Sequence, residues 1–147
     1  MTDQLHLACD GPVFAELSAE ILQLGNLVRF QAQGTSMHPL IRNNDILLLS
    51  PTVNGKINVG DVVLCNPHPG RTVVHRVIKT RTTKHFRQYL IKGDHLSHDD
   101  GWIAHEQVHG QVIAIERDGN PIDMQNPVVR ILGFFAALKS RGHLRFG

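Results

Sequence analysis

The chain has 147 residues, of which 41% are hydrophobic and 19% are charged, and its formal net charge is +2. These values are typical of one globular domain and exclude a disordered chain or a multi-span membrane protein. Basic residues are scattered among acidic ones, a pattern that gives no indication of a nucleic-acid partner. We therefore expect one domain over residues 1–147 that binds no nucleic acid.

The first residues lack the features of a secretory signal peptide. Asp3 and Asp10 stand where such a peptide carries basic residues. The most apolar window, at 128–138, is much shorter than the roughly 20 residues that cross a bilayer. Cys9 and Cys65 form no disulfide framework and no zinc spacing. The sequence thus predicts a cytoplasmic protein without a transmembrane helix.

An amphipathic helix is predicted over about residues 11–25. Asp10 can cap it, Pro12 suits its first turn and Gly25 can end it. Apolar residues recur between these points at helical spacing, namely at Val13, Leu17, Ile21 and Leu24.

Short β-rich runs follow, separated by Asn-Gly, Pro-Gly and Gly-Asp turn signals. They cover residues 27–33, 45–49, 61–65, 72–80, 87–91 and 111–117. This spacing favours a mainly β fold, with an antiparallel sheet or partly open barrel over about 27–117. A second helix is predicted over about 127–140, with Ser140, Arg141 and Gly142 as its end.

Ser36 lies in a sequence context that suits a nucleophile. Gly34 before it permits a tight turn, and Pro39 fixes the chain beyond it. Such a turn can present a hydroxyl and a backbone N–H at a cleft, although serine after glycine is also a common turn residue.

His75 stands among β-branched residues on a predicted strand. Its imidazole is suited to take a proton from a serine and return it to a leaving amine, but the residue is one of ten histidines. A third segment, at 89–101, ends a strand in an acidic loop. A carboxylate there can orient the imidazole, or the loop is a solvated turn.

Taken in order, these segments resemble signal peptidase I, in the endoplasmic-reticulum, archaeal and sporulation-type branch that uses a serine–histidine pair. The similar segments are residues 34–39, 44–47, 59–63, 74–77, 92–94 and 99–100. The architecture also resembles that of the LexA and UmuD autoproteases, which place a lysine base where His75 stands.

The resemblance implies a serine endopeptidase that cleaves an extended peptide after a small residue. It implies Ser36 as nucleophile, His75 as general base and Asp100 as the orienting carboxylate, with Asp94 a second acidic residue of the site. No cofactor is implied. The chain departs from the membrane signal peptidases by having a helix at 12–24 without the length of an anchor, and Gly34 where many of them have serine.

Other functions remain open on the sequence. One is a zinc site, because imidazoles and carboxylates crowd one segment: His95, His98, Asp99, Asp100, His105 and His109. Another is a catalytically silent module of the same fold that binds an extended peptide at a sheet edge. DNA binding is disfavoured because only one helix precedes the first predicted strand.

The apolar window at 128–138 adds a question about partners. Its helix either packs on the body of the protein or on a partner, or it makes peripheral contact with a membrane. Packing is the favoured interpretation, since the helix lacks a clear polar face. The sequence leaves the oligomeric state unknown.

Overall fold

The N-terminal helix forms where the spacing of apolar residues predicts it. The structure is a computed structural model that describes residues 5–7, 12–52 and 56–144, with side chains over 17–52 and 56–141. Helix α1 spans Pro12–Gln23, and the chain turns after it at Gly25, where φ is +87°. Glycine adopts this left-handed conformation without steric cost. The suggested cap Asp10, Cys9 and the Asn-Gly signal at 54–55 lie outside the described residues.

The face that α1 buries differs from the one predicted. Leu17 and Leu24 are exposed, whereas Ser18 and Leu22 are buried. Leu22 reaches the sheet because Gly110 has no side chain: a Cβ at Gly110 would lie 2.7 Å from Leu22 Cδ1. The spacing of apolar residues thus predicts the helix but not which of its residues are buried, since local spacing does not show where the sheet leaves room.

The described residues form nine strands. They are β1 (Leu5–Leu7), β2 (Val28–Gln31), β3 (Ile46–Pro51), β4 (Val62–His68), β5 (Arg71–Thr83), β6 (Phe86–Lys92), β7 (Trp102–Ala104), β8 (Val108–Arg117) and β9 (Asn120–Asp123). Six of them correspond to the six predicted runs. The strands β1, β7 and β9, which have three or four residues each, were not predicted.

The strands form one open sheet in the order β1-β2-β3-β8-β4-β5-β6-β7, with β9 paired to β8. Every pairing is antiparallel except that of β1 with β2. The predicted fold class, mainly β with one helix towards each end of the chain, is confirmed. The sheet is open, because the order given by the described strands does not close it.

Strand β5 contributes to hydrophobic clusters on both faces of the sheet. Val73 and Val77 pack in a cluster with residues of β4 and β6. On the other face, Ile78 packs with Ala137 of helix α2, which spans Pro127–Leu144. Successive side chains of a strand point to opposite faces, so β5 offers two separate environments to its polar residues.

Helix α2 continues beyond the end predicted for it. Ser140 is buried and accepts from Lys92 Nζ at 3.4 Å, and Arg141 Nε donates to the Ile78 carbonyl oxygen at 2.5 Å. The predicted end at Ser140, Arg141 and Gly142 is wrong because these contacts hold the last turns against the sheet. Neither helix of the described chain has the length and hydrophobicity to cross a membrane.

Candidate active site

His75 lies on β5, which is bordered by β4 and β6 in the sheet. It pairs with Val63 of β4, and its side chain is only 2% exposed. Alternation places the ring on the face of Val73 and Val77, while Arg76 points to the opposite face towards α2. His75 and Arg76 are adjacent in sequence, but their side chains therefore lie on opposite faces of the sheet.

Asp100 orients the His75 ring. Its Oδ2 lies 2.5 Å from His75 Nδ1, and its side chain is 4% exposed. The backbone N–H of Asp100 donates to the Ile91 carbonyl oxygen at 2.7 Å, which fixes the loop to the end of β6. With Nδ1–H donating to the carboxylate, His75 Nε2 carries the free lone pair. The structure thus brings together the two residues that were predicted as base and orienting acid.

The Ser36 turn is built from short-range hydrogen bonds. Gly34, with φ +89°, donates its N–H to Asn43 Oδ1 at 3.0 Å, and His38 N–H donates to the Thr35 carbonyl oxygen at 3.1 Å. Ser36 itself is half-buried. Within the described residues, neither its hydroxyl nor its N–H has a hydrogen-bond partner. Both groups are therefore available to a ligand.

Gly93 is the point at which the Ser36 turn meets the histidine. A Cβ built on Gly93 would lie 2.7 Å from the Ser36 carbonyl oxygen and 3.1 Å from His75 Nε2. The free ring nitrogen and the Ser36 backbone thus border the same small space. His95 N–H donates to the Ser36 carbonyl oxygen at 2.9 Å and keeps the loop on the turn. No hydrogen bond joins the Ser36 hydroxyl to the His75 ring among the described residues.

Asp94 occupies a different position from Asp100. Its two carboxylate oxygens accept from Arg76 Nε and Nη2, each at 2.7 Å. Arg76 Nη1 also donates to the Gly60 carbonyl oxygen at 2.7 Å. The structure therefore does not bring Asp94 to the histidine; it uses Asp94 in a buried ion pair on the opposite face of β5. Sequence reasoning missed Arg76, whose only signal was its place beside His75.

Arg71 is a second residue that the sequence analysis missed. Its Nη1 lies 3.3 Å from Asp100 Oδ1, the carboxylate oxygen that does not face His75, and its side chain is 50% exposed. The carboxylate is thus held from two sides, by a buried ring and by a half-exposed guanidinium.

Two other reactive side chains near the site are poorly suited to catalysis. Burial, with a smaller effect of the Asp100 carboxylate, raises the pKa of the Cys65 thiol to about 12, which leaves almost no thiolate at neutral pH. Lys92 is buried, and burial lowers the pKa of its amine although Asp94 and Asp99 oppose the shift. Its pairing with Arg76 places it on the α2 face, away from the ring of His75.

The residues suggested for zinc are not brought together. His105 Nδ1 lies 2.9 Å from the Tyr89 hydroxyl, and His109 Nε2 lies 2.5 Å from Asn66 Oδ1. Among the described residues there is no group of three or more histidine, cysteine or acidic side chains that could hold a metal ion. The residues suggested for zinc are close in the sequence, but they lie on a loop and a strand and make separate contacts.

Comparison with known proteins identifies no family. No protein-family model matches the chain, and no curated protein matches it significantly.

Proposed function

We propose that this protein is a serine endopeptidase, similar to the serine–histidine branch of signal peptidase I, that cleaves an extended peptide after a small residue. The observation that carries the proposal is the buried pair of His75 and Asp100, at 2.5 Å, whose free Nε2 borders the Ser36 turn. The preference for a small residue comes from the resemblance. Three substrates fit this chemistry: a leader peptide, a secreted precursor and the chain itself.

In the proposed reaction, His75 Nε2 takes the proton of the Ser36 hydroxyl as Oγ forms a bond to the scissile carbonyl carbon. The Ser36 N–H, which has no partner among the described residues, is available to donate to the resulting oxyanion. The imidazolium then gives its proton to the leaving amine as the C–N bond breaks. Asp100 stays ionised and stabilises the charged ring.

Water completes the cycle. His75 takes a proton from a water molecule that attacks the acyl-enzyme, and then returns that proton to Ser36 Oγ as the ester bond breaks. The Ser36–His75 hydrogen bond needed for the first step is not among the hydrogen bonds of the described residues. Such bonds commonly tighten only when substrate occupies the cleft.

The Ser36 and His75 pair is tested with a fluorophosphonate probe that labels activated serines. We expect wild type to be labelled and Ser36→Ala to remain unlabelled. Ser97→Ala is the matched control, because Ser97 is an exposed serine of the neighbouring loop, and it should be labelled as wild type is. Folding of each variant is checked by circular dichroism.

A second function would follow from a different result. Absence of labelling in folded wild type would favour a peptide-binding module of the same fold. A peptide strand would then add to β1 or β7, the strands at the two ends of the described sheet. Equal labelling of wild type and Ser36→Ala would also contradict the proposal, since another residue would then be the nucleophile.

A further inference from the structure

Helix α2 packs on the body of the protein with small residues. Its inner side carries Gly133, Ala137 and Ser140, all buried. The helix backbone comes so near the sheet that a Cβ on Gly60 would lie 2.9 Å from the Gly133 carbonyl carbon. A helix that only covers a sheet buries its large apolar residues, so the opposite arrangement needs a separate explanation.

The large apolar side chains of α2 form its outer side, which we name the apolar ridge. Its members are between 37% and 64% exposed: Val128, Ile131, Leu132, Phe134, Phe135 and Leu138. They recur at spacings of three and four residues, which places them along one side of a helix. A continuous exposed apolar surface marks a site of interaction with a protein or a membrane.

The apolar ridge continues into a cavity of about 560 Å³ beside the Ser36 turn. Leu132 of the ridge and Lys139 line this cavity from α2, and Pro39 and Leu40 line it from the turn. The exposed apolar surface is therefore larger than the helix alone. It extends to Pro39 and Leu40, three and four residues after the candidate nucleophile.

The charge of α2 distinguishes between two occupants of the ridge. Residues 127–144 include no aspartate or glutamate, and Arg141 is bound to the Ile78 carbonyl oxygen, but Arg130 and Lys139 are exposed. A second copy of the chain packed ridge to ridge would bring these like charges together. A bilayer that contains anionic phospholipids would instead attract them.

We propose that the apolar ridge docks on the surface of an anionic phospholipid bilayer, with α2 lying parallel to the membrane plane. The apolar side chains enter the boundary between headgroups and acyl chains, and Lys139 meets the lipid phosphates. Because Pro39 and Leu40 border the same cavity, docking places the Ser36 turn at the membrane surface. Binding does not depend on whether Ser36 reacts.

The proposal is tested by flotation of the full chain with vesicles of phosphatidylcholine alone or mixed with phosphatidylglycerol. We expect wild type to float with the mixed vesicles, more weakly as salt is raised. Phe135→Ser should bind about tenfold more weakly. Phe86→Ser is the matched control, because Phe86 is 65% exposed against 60% for Phe135 but lies on β6, and it should bind as wild type does.

A second pair of variants tests the contribution of charge to vesicle binding. Lys139→Glu should weaken binding to the mixed vesicles about tenfold, whereas Lys79→Glu, an equal charge change at an exposed position of β5, should not. The proposal is overturned if wild type stays in solution with both vesicle types, or if both phenylalanine variants bind equally. A dimer in light scattering that Phe135→Ser dissociates would assign the ridge to a second copy instead.

Discussion

Replacing Gly93 with alanine probes the geometry on which the proposed reaction depends. The added Cβ would lie 2.7 Å from the Ser36 carbonyl oxygen, 2.9 Å from Leu96 Cδ1 and 3.1 Å from His75 Nε2. Leu96 is exposed and can rotate away. The carbonyl belongs to the main chain, and the ring is held by Asp100. Gly93→Ala must therefore move the Ser36 turn and the ring apart.

The expected magnitudes follow from this crowding. Overpacking a filled site costs about 1–3 kcal/mol of stability, so we expect a lower Tm with the fold retained. A displacement of reacting groups by an ångström can slow a reaction about a hundredfold, and we expect that reduction in the second-order rate constant for labelling by the fluorophosphonate probe.

Gly110→Ala is the matched control for the loss of stability. A Cβ there would meet Leu22 Cδ1 at 2.7 Å and the Ser50 carbonyl oxygen at 3.0 Å, in the part of the sheet under α1. This variant should also have a lower Tm but an unchanged labelling rate. The proposed contact of the Ser36 turn with His75 is refuted if folded Gly93→Ala is labelled as fast as wild type, or if both variants lose the same reactivity.

Two further substitutions test the ion pairs. Asp100→Asn should reduce the probe-labelling rate by about 10³–10⁴-fold at neutral pH, because an amide neither fixes the His75 tautomer nor stabilises its charged form. A rate within about threefold of wild type would contradict the role of Asp100. Burial raises the pKa of the Asp45 carboxyl, but hydrogen bonds from Arg117 and the Arg42 N–H outweigh it and hold this pKa below 3.8. Stability from the ionised carboxylate is full above that value and is lost as the pH falls through the lowered pKa. Urea unfolding should therefore show Asp45→Asn less stable than wild type at pH 7, with a difference that shrinks below about pH 4; a constant difference would contradict this linkage.

The sequence alone was sufficient for the elements whose periodicity is long enough to be read. Six strands correspond to β-rich runs bounded by turn signals, and α1 shows helical spacing, so the mainly β class could be predicted. Local patterns alone did not select Ser36 and His75, because a serine after glycine and a histidine on a strand are both common; the pair was proposed from the resemblance that the ordered segments carry. The very short strands could not be predicted, since three residues form a strand only when a neighbour offers an edge.

The resemblance implies Asp100 rather than Asp94 as the acid that orients His75, but only the tertiary structure shows the physical reason. Asp94 and Asp100 lie on one acidic loop, and nothing local distinguishes a carboxylate that binds Arg76 from one that binds His75. His75 and Arg76 are adjacent on β5, so alternation places their side chains on opposite faces of the sheet. The loop then places Asp100 beside His75 and Asp94 beside Arg76.

The same reason explains the end of α2 and the need for glycine at position 93. Ser140 and Arg141 continue the helix because the sheet supplies Lys92 and the Ile78 carbonyl as partners. Gly93 is required because two segments far apart in sequence meet across its missing side chain. Local sequence patterns indicate which secondary structure a segment can form. The contacts between segments, which arise only when the chain packs, decide what each residue does.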